Sequence, residues 1–219
     1  MSEHILVFGA TGPSGTEFCS AALQQGHQLS LFVRNPQKLP LELSGNPNVT
    51  VIPGTFEDVT KMEQAAGCGA RIFVSFAGPT YGSKGTPVTE AIKLIFPMLV
   101  ANNYKRAMVL GTCSYPSPRD KGGIKWKLSV ALIKIIGGSA YEEFRGLGEF
   151  VASQDATQLQ WTLFRVPFLT NGAEAPVTAT YTGHGDDGFF LSRKSMASWV
   201  LKEMDTNSVQ VGKTPVISN

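Results

Sequence analysis

Three glycines near the amino terminus are spaced three residues apart, at Gly9, Gly12 and Gly15. They follow an apolar run over residues 5–8, and residues 16–25 have the periodicity of a helix. Between a strand and a helix, the first glycine permits a sharp turn, the second lets the backbone approach a pyrophosphate, and the third allows close helix packing. We therefore predict that the amides at this helix N-terminus bind the phosphates of a dinucleotide.

The order of strand, turn and helix supports this interpretation, because glycine is also the default residue of ordinary turns. The first gap between the glycines is one residue longer than in the common GxGxxG pattern. A purely structural turn is therefore the alternative. We assign the turn residues between the glycines to the same phosphate site: Thr11, Pro13 and Ser14.

The end of the second predicted strand, residues 28–33, indicates which dinucleotide binds. NAD sites usually carry an acidic residue at this point for the ribose 2′-hydroxyl. This chain has Arg34 there and Lys38 four residues on, and both cations are suited to a 2′-phosphate. We therefore predict NADP as the cofactor. The alternative is that both residues are solvated surface charges.

The adenine contact is predicted after the third strand, residues 49–53. Asp58 and Val59 fall where folds of this kind contact the adenine. Asp58 is equally suited to cap the helix predicted over residues 60–66, because Asp is a preferred capping residue.

The nicotinamide end of the cofactor is predicted at the carboxyl ends of later strands, where parallel sheets form their ligand crevice. A nearly continuous apolar strand covers residues 71–76, and the glycine-containing loop over residues 80–86 is expected to be flexible and to close over the ligand. The residues assigned to this end of the cofactor are Phe76, Ala77, Gly78, Thr112, Pro167 and Phe168.

Strands alternate with helices along most of the chain, which predicts right-handed crossovers and a doubly wound parallel sheet of Rossmann type, in the α/β class. A helix over residues 87–103, interrupted by Pro97, leads into a fifth strand over residues 106–111. That strand delivers Ser114 to the crevice. A sixth strand is predicted over residues 160–165.

An insertion over residues 115–140 follows the fifth strand and contains an apolar helix at residues 124–136. This helix either roofs the active site or packs into the core or the interface of a homodimer, since apolar periodicity does not distinguish these roles. The next helix, residues 140–153, carries Tyr141 and Arg145 four residues apart and thus on one face.

The last part of the chain, residues 172–219, is too small for a second core, so the protein is predicted to be one domain over residues 1–219. It is interpreted as an annex beside the substrate cleft. Its predicted elements are strands at residues 177–181, 188–191 and 208–211 and a helix at residues 195–204.

Composition excludes several classes of function. The net charge of +2 is small, and the basic residues form no stripe of the kind that binds nucleic acid. The cysteines are odd in number and far apart, which favours reduced thiols in the cytoplasm. The histidines form no ligand cluster, so no metal site is predicted. We expect no signal peptide, because a strand begins almost at the amino terminus. We expect no membrane span, because the longest apolar stretch, residues 128–136, is interrupted by polar residues and too short.

These motifs together resemble an atypical short-chain dehydrogenase/reductase of the NmrA-like group, similar to flavin and biliverdin reductases and to fungal members. The blocks that carry the resemblance are GATGPSG, VRNPQKL, VLGTCS and QWTLFRVPFLTNG, and they extend over essentially the whole chain. The resemblance implies an NADP-binding Rossmann domain. It also implies a set of Ser, Tyr and Lys in which the tyrosine protonates a carbonyl oxygen as hydride arrives.

Carried over to this chain, the family set becomes Ser114, Tyr141 and Arg145. The usual YxxxK pattern is present only as YEEFR, and the planar guanidinium of arginine does not replace a lysine ammonium as an equivalent donor. The separation between Ser114 and Tyr141 is also longer than usual because the insertion lies between them. Tyr141 is therefore either the catalytic acid or a tyrosine that packs or contacts substrate.

Three functions follow from these expectations. The first is an NADPH-dependent reductase of a small, largely apolar carbonyl or conjugated substrate. The second is a non-redox isomerase, dehydratase or cyclase in which NADP is structural or absent. The third is a regulator that senses NADP without turnover. Fold alone does not decide among them.

Overall fold

A parallel sheet with helices on both faces forms the body of the protein. The computed structural model describes residues 2–79, 85–137 and 139–219. The strands of this part are β1 (His4–Phe8), β2 (Gln28–Val33), β3 (Val49–Pro53), β4 (Ile72–Ser75), β5 (Arg106–Thr112), β6 (Gln160–Val166), β7 (Phe168–Thr170), β8 (Thr178–Thr180), β9 (Phe190–Ser192) and β10 (Val216–Ser218). Its helices are α1 (Pro13–Gln24), α2 (Leu41–Ser44), α3 (Val59–Ala66), α4 (Pro87–Ala101), α5 (Ile124–Gly137), α6 (Ser139–Ala152) and α7 (Arg193–Glu203).

The strand order of the main sheet is β3-β2-β1-β4-β5-β6-β10-β8. Neighbouring strands from β3 to β10 are parallel, and only β8 pairs antiparallel, with β10. The order reverses beside β1, which creates the crevice at the carboxyl ends of β1 and β4 where such sheets bind ligands. The predicted Rossmann-type α/β fold is therefore confirmed. The separate pair β7 and β9 forms a small parallel sheet.

The sequence of β1 explains why it lies at the centre of the sheet. Its last four residues are fully buried. Ile5 and Val7 belong to one core cluster and Leu6 and Phe8 to the other, as the two-residue period of a strand requires. Because helices cover both faces, the strand has a continuous apolar run instead of an alternating one.

The carboxy-terminal region, residues 172–219, completes the main sheet. Helix α7 packs with α1 on one face, and Trp199 and Val200 join the core cluster that contains Phe18. Strand β10 inserts between β6 and β8. Thr182 of the same region also lines the cavity described below.

Two element predictions differ from the structure. The predicted strand over residues 208–211 is wrong: these residues form turns, Val209 is 72% exposed, and the strand lies at Val216–Ser218, where Val216 and Ile217 are fully buried. Burial against β6 outweighs the local β-propensity of the earlier segment. Helix α4 continues through Pro97 instead of being interrupted there.

No helix of the described part is long and apolar enough to cross a membrane. The loop predicted to close over the ligand lies outside the described residues, except for Gly85 and Thr86.

Candidate functional site

The glycine turn connects β1 to α1 as predicted, and two of its glycines are required by packing. Gly9 has a φ of +79°, and a Cβ there would lie 2.7 Å from the Ala77 backbone nitrogen. A Cβ on Gly15 would lie 2.3 Å from the Gly9 carbonyl oxygen. Any side chain at these positions would push the helix away from the strands β1 and β4.

Gly12 has a different environment. A Cβ on Gly12 would meet only the Gly9 carbonyl oxygen, at the ordinary contact distance of 3.5 Å. Within the described chain, no packing contact therefore requires glycine at this position. The space beside Gly12 leaves room for a ligand to approach the backbone, and the predicted pyrophosphate contact stays a prediction.

The N-terminus of α1 has the properties of a phosphate site. Gly12 is the N-cap and Pro13 occupies the first turn, where its missing N–H costs nothing. No side chain among the described residues caps this helix. Its first-turn amides and dipole are thus suited to an anion. Thr16 instead fixes the turn, because its hydroxyl donates to the Ala10 carbonyl oxygen at 3.0 Å.

Arg34 and Lys38 are both exposed just after β2. Neither makes an ion pair within residues 2–79, 85–137 and 139–219. The pKa of the Glu57 carboxyl is lowered chiefly by the Thr55 hydroxyl and, to a smaller extent, by the charge of Arg34. Arg34 thus lies within electrostatic reach of the segment that leads to the predicted adenine contacts.

The two predicted adenine contacts have different structural roles. Asp58 is the N-cap of α3, and its carboxylate accepts a hydrogen bond of 3.0 Å from the Lys61 backbone nitrogen. Its presence is therefore explained without a ligand. Val59 begins the helix and is 47% exposed, which leaves apolar surface for an adenine. Both adenine contacts stay predictions.

Phe76 and Ala77 are buried beside the glycine turn. The Phe76 ring packs between Phe18 and Phe164, at centroid distances of 5.1 and 6.0 Å. The Phe76 side chain is therefore part of the core, and the cofactor contacts of this segment stay predictions. Gly78 follows and is exposed.

A cavity of about 510 Å³ lies beyond the carboxyl end of β5. Ser114 enters it after β5 and Tyr141 enters it from α6. Trp126 and Val130 of α5 line it as well, and Thr182 of the carboxy-terminal region completes the wall. The structure thus brings two of the three predicted catalytic residues to one cavity and places the apolar helix of the insertion against it.

Ser114 is only 1% exposed, and its hydroxyl has no hydrogen-bond partner in the described part of the chain. Leaving a buried hydroxyl unpaired costs about 1–3 kcal/mol, so such a group calls for an explanation. Its position in the cavity wall supplies one, because a ligand oxygen can accept its hydrogen bond. The neighbouring Cys113 has a different character: burial raises the pKa of its thiol to about 12, which disfavours the thiolate form.

Tyr141 lies below the side chain of Lys134, whose Nζ is 5.3 Å from the centre of the tyrosine ring. This is the range of a cation–π contact. Lys134 also lines the cavity. Sequence reasoning did not assign Lys134 to the site, because the two residues belong to different helices and no local pattern indicates that they meet.

Arg145 lies outside the cavity wall. Its side chain is 48% exposed, and its Nε donates to the Glu149 carboxylate at 2.9 Å. The pKa of its guanidinium is raised first by Glu149 and then by Tyr141. Arg145 therefore approaches Tyr141 from the solvent side, and its catalytic role stays a prediction.

Helix α6 is held in place by Glu143, which lies between Tyr141 and Arg145 in sequence. Its fully buried carboxylate accepts hydrogen bonds from the backbone nitrogens of Val88 and Thr89 at 3.0 and 2.7 Å. These are first-turn amides of α4, which favour a negative charge. The anchor fixes the position from which Tyr141 enters the cavity.

Helix α5 is attached at its start by Asp187, which is 2% exposed. The Asp187 carboxylate accepts hydrogen bonds from the Lys125 ammonium at 3.0 Å, from the Trp126 indole and from the Gly183 backbone nitrogen. Burial raises the pKa of this carboxyl, but the hydrogen bonds prevail and lower it to about 2. Helix α5, which lines the cavity, is thereby attached to the carboxy-terminal region.

Asp120, which lines the cavity, forms an ion pair with the buried side chain of Arg165. Arg165 of β6 donates to both carboxylate oxygens of Asp120, at 2.7 and 2.8 Å. Burial raises the pKa of Asp120, but Arg165 and backbone amides lower the pKa by more, so the net shift is downward. Arg165 also donates to the Tyr115 carbonyl oxygen at 3.1 Å, which fixes the segment after β5. The sequence analysis identified neither Asp120 nor Asp187.

The last two predicted cofactor contacts lie near β7. Pro167 follows β6 and is half-buried. Phe168 begins β7 and is 48% exposed, with its ring 6.3 Å from that of Phe190. Neither residue lines the cavity that contains Ser114 and Tyr141. Among the described residues, no group of three or more His, Cys, Asp and Glu could hold a metal ion.

The sequence model of an NAD(P)H-binding family matches residues 9–207. The match begins in the glycine turn and includes both helices that line the cavity. A comparison with curated protein sequences gave no significant match.

Solved structures with the same fold are numerous. A short-chain dehydrogenase/reductase from Veillonella parvula superposes with a TM-score of 0.82 at 18% identity, covering 100% of this chain and 95% of the other. ChuY, an anaerobillin reductase from Escherichia coli O157:H7, superposes with a TM-score of 0.76 at 16% identity, covering 98% and 96%. The oxidoreductase ylbE from Lactococcus lactis gives 0.75 at 15% identity, covering 99% and 90%. At these identities the similarity establishes the fold.

Proposed function

The chain belongs to the NAD(P)H-binding family, and on that premise we propose that it is an NADPH-dependent reductase of a small carbonyl or conjugated substrate. The observation that carries the proposal is the cavity shared by Ser114 and Tyr141. It lies beyond the carboxyl end of β5, on the side of the sheet where this fold binds dinucleotides.

The residues of the glycine turn would hold the cofactor through its pyrophosphate. The fit is supported by the uncapped first turn of α1 and by Gly12, at which no protein contact requires a glycine. Arg34 would bind the 2′-phosphate of NADPH, because a guanidinium forms charge-assisted and bidentate hydrogen bonds with phosphate oxygens. NADPH, when bound, supplies the hydride.

The protein side of the reaction rests on two hydroxyl groups. The unpaired Ser114 hydroxyl donates a hydrogen bond to the substrate carbonyl oxygen and orients it. The Tyr141 hydroxyl supplies the proton to that oxygen as the hydride adds to carbon. Trp126 and Val130 line the same cavity and would limit the access of water to the substrate. Addition of the hydride to the carbonyl carbon and of the proton to the carbonyl oxygen gives the alcohol.

The test is to incubate the purified protein with NADPH and a panel of aldehydes, ketones, quinones and enones while following NADPH absorbance and product. Consumption of NADPH in equal amount to the alcohol or reduced product supports the proposal. Conversion of a substrate without NADPH consumption would instead assign a non-redox reaction. Tight NADPH binding with no conversion of any compound would favour a sensor.

A matched control uses a second tyrosine. Tyr181 is partly buried outside the cavity wall, and its hydroxyl accepts a long hydrogen bond of 3.5 Å from Arg119. Tyr181→Phe therefore removes a phenol hydroxyl from the same protein without touching the proposed chemistry. Its turnover should equal that of the parent protein.

A further inference from the structure

The wall of the cavity is rich in positive charge. Lys121 lines it from the segment before α5, and Lys127 and Lys134 line it from α5 itself. In the described ranges, none of these three ammonium groups takes part in an ion pair. All three residues are exposed, and three cations beside one cavity favour a ligand with negative charge.

The carboxylate in the wall does not balance these lysines. Asp120 lines the cavity, but both its oxygens accept hydrogen bonds from Arg165, whose side chain is fully buried. The buried Arg165 guanidinium therefore neutralises the charge of Asp120. The lysines remain the uncompensated charge of the wall.

The rest of the wall indicates what the anion is attached to. Pro116, Trp126, Val130 and Ala131 give the cavity an apolar surface. The buried, unpartnered hydroxyl of Ser114 lies in the same wall and is a second, independent sign of a ligand. A ligand that matches both features has an apolar body, a group that accepts a hydrogen bond, and an acid group.

The cofactor does not account for this charge. Its pyrophosphate is assigned to the first turn of α1 and its 2′-phosphate to Arg34. Neither Arg34 nor any residue of the glycine turn lines the cavity. The lysines are thus available to the substrate.

We propose that the substrate is an acid: an apolar molecule whose carboxylate is bound by Lys121 and Lys127, while its reducible group faces Ser114 and Tyr141. This inference rests on the proposed function and names its substrate class. A carboxylate suits lysines that approach from two different segments, because each of its two oxygens can accept from a separate ammonium group.

The experiment measures binding of matched probes to the full chain saturated with NADP, by calorimetry. The probes are 2-naphthoate, its neutral amide 2-naphthamide, and 2-naphthyl phosphate. We expect 2-naphthoate to bind roughly tenfold more tightly than the amide, and we expect this preference to weaken as salt is added. Tighter binding of the phosphate than of the carboxylate would overturn the assignment to a carboxylate.

The double variant carries both Lys121→Gln and Lys127→Gln, and Lys202→Gln serves as the control. Lys202 is an exposed lysine of α7 that does not line the cavity. The double variant should lose the preference for 2-naphthoate and keep its affinity for the amide and for NADP, whereas the control should retain the preference. Equal binding of acid and amide by the parent protein, absence of 2-naphthoate binding, or loss of NADP affinity in the double variant would each overturn the inference.

Binding is measured without turnover, so a failure of the acid-substrate proposal can be distinguished from a failure of the reductase proposal. A preserved acid preference in a protein that never consumes NADPH would contradict the reductase and leave the anion site standing. NADPH-dependent reduction of neutral carbonyl compounds, with no preference for acids, would contradict the anion site and leave the reductase standing.

Discussion

The Lys134 ammonium lies over the ring of Tyr141, with Nζ 5.3 Å from the ring centre, although the two residues belong to successive helices. The family pattern implied a cation four residues after the tyrosine, but Arg145 at that position turns to Glu149 and solvent. The cation over the Tyr141 ring therefore comes from the insertion.

Replacing Lys134 should have a modest effect on turnover. An exposed cation–π contact contributes about 0.5–1 kcal/mol, which corresponds to a change of roughly two- to fivefold. Lys134→Gln should lower kcat by about that factor, and Lys134→Arg should restore most of it because the cation is retained. Steady-state kinetics of both variants check this, with Lys202→Gln as the control. A loss that Lys134→Arg does not reverse would contradict the role of the charge.

Removing the Tyr141 hydroxyl should have a larger effect. If Tyr141 supplies the proton, Tyr141→Phe lowers kcat by about 100-fold or more while NADPH affinity stays nearly unchanged. Ser114→Ala should cost less, since Ser114 orients the carbonyl oxygen and supplies no proton. Single-turnover rates with a reducible substrate measure both. Near-full turnover by Tyr141→Phe would show that the proton comes from water or another residue.

Two glycine substitutions should separate folding from cofactor binding. Gly12→Val should leave a folded protein that no longer binds NADP, because the new side chain fills the space assigned to the pyrophosphate. Gly15→Ala should lower the melting temperature, because its Cβ would lie 2.3 Å from the Gly9 carbonyl oxygen. Thermal melts with and without NADP measure both effects. A full NADP-induced shift in Gly12→Val would place the phosphates elsewhere.

Charge reversal at Arg34 should change the cofactor preference. The parent protein should bind NADP more tightly than NAD, and Arg34→Asp should erode or reverse this difference, because an acid repels a 2′-phosphate and accepts from a 2′-hydroxyl. Dissociation constants for both nucleotides test the prediction. Equal affinity of the parent protein for NAD and NADP would contradict it.

Asp187 should make stability depend on pH in a defined window. Its pKa is lowered in the folded protein from 3.8 to about 2, so its stabilising contribution is present above the unfolded value and lost as the pH falls toward the folded value. Asp187→Asn should therefore melt at a lower temperature than the parent at neutral pH, and the gap should close between about pH 4 and pH 2. A gap that persists unchanged at pH 2 would show that the anchor does not depend on the carboxylate charge.

Local sequence patterns were enough to predict the fold and the turn at Gly9. Glycine spacing and the apolar run of β1 depend on neighbours within a few residues, so they can be recognised in a single sequence. The cavity was only partly predictable. Ser114 followed from its position after β5, whereas the Asp187 anchor joins residues 61 or 62 positions apart and has no local signature. The false strand at residues 208–211 has the same cause, since burial against a distant strand decides between similar segments.

The buried contact between Glu143 and Thr89 has a consequence for how relatives of this chain diverge. Glu143 occupies the middle of the segment from Tyr141 to Arg145 but turns away from the cavity, toward the start of α4. The residue at position 143 should therefore depend on the residue at position 89, and not on the reaction catalysed. Among homologues that have exchanged Tyr141 for another residue, the pair at positions 89 and 143 should persist or change together.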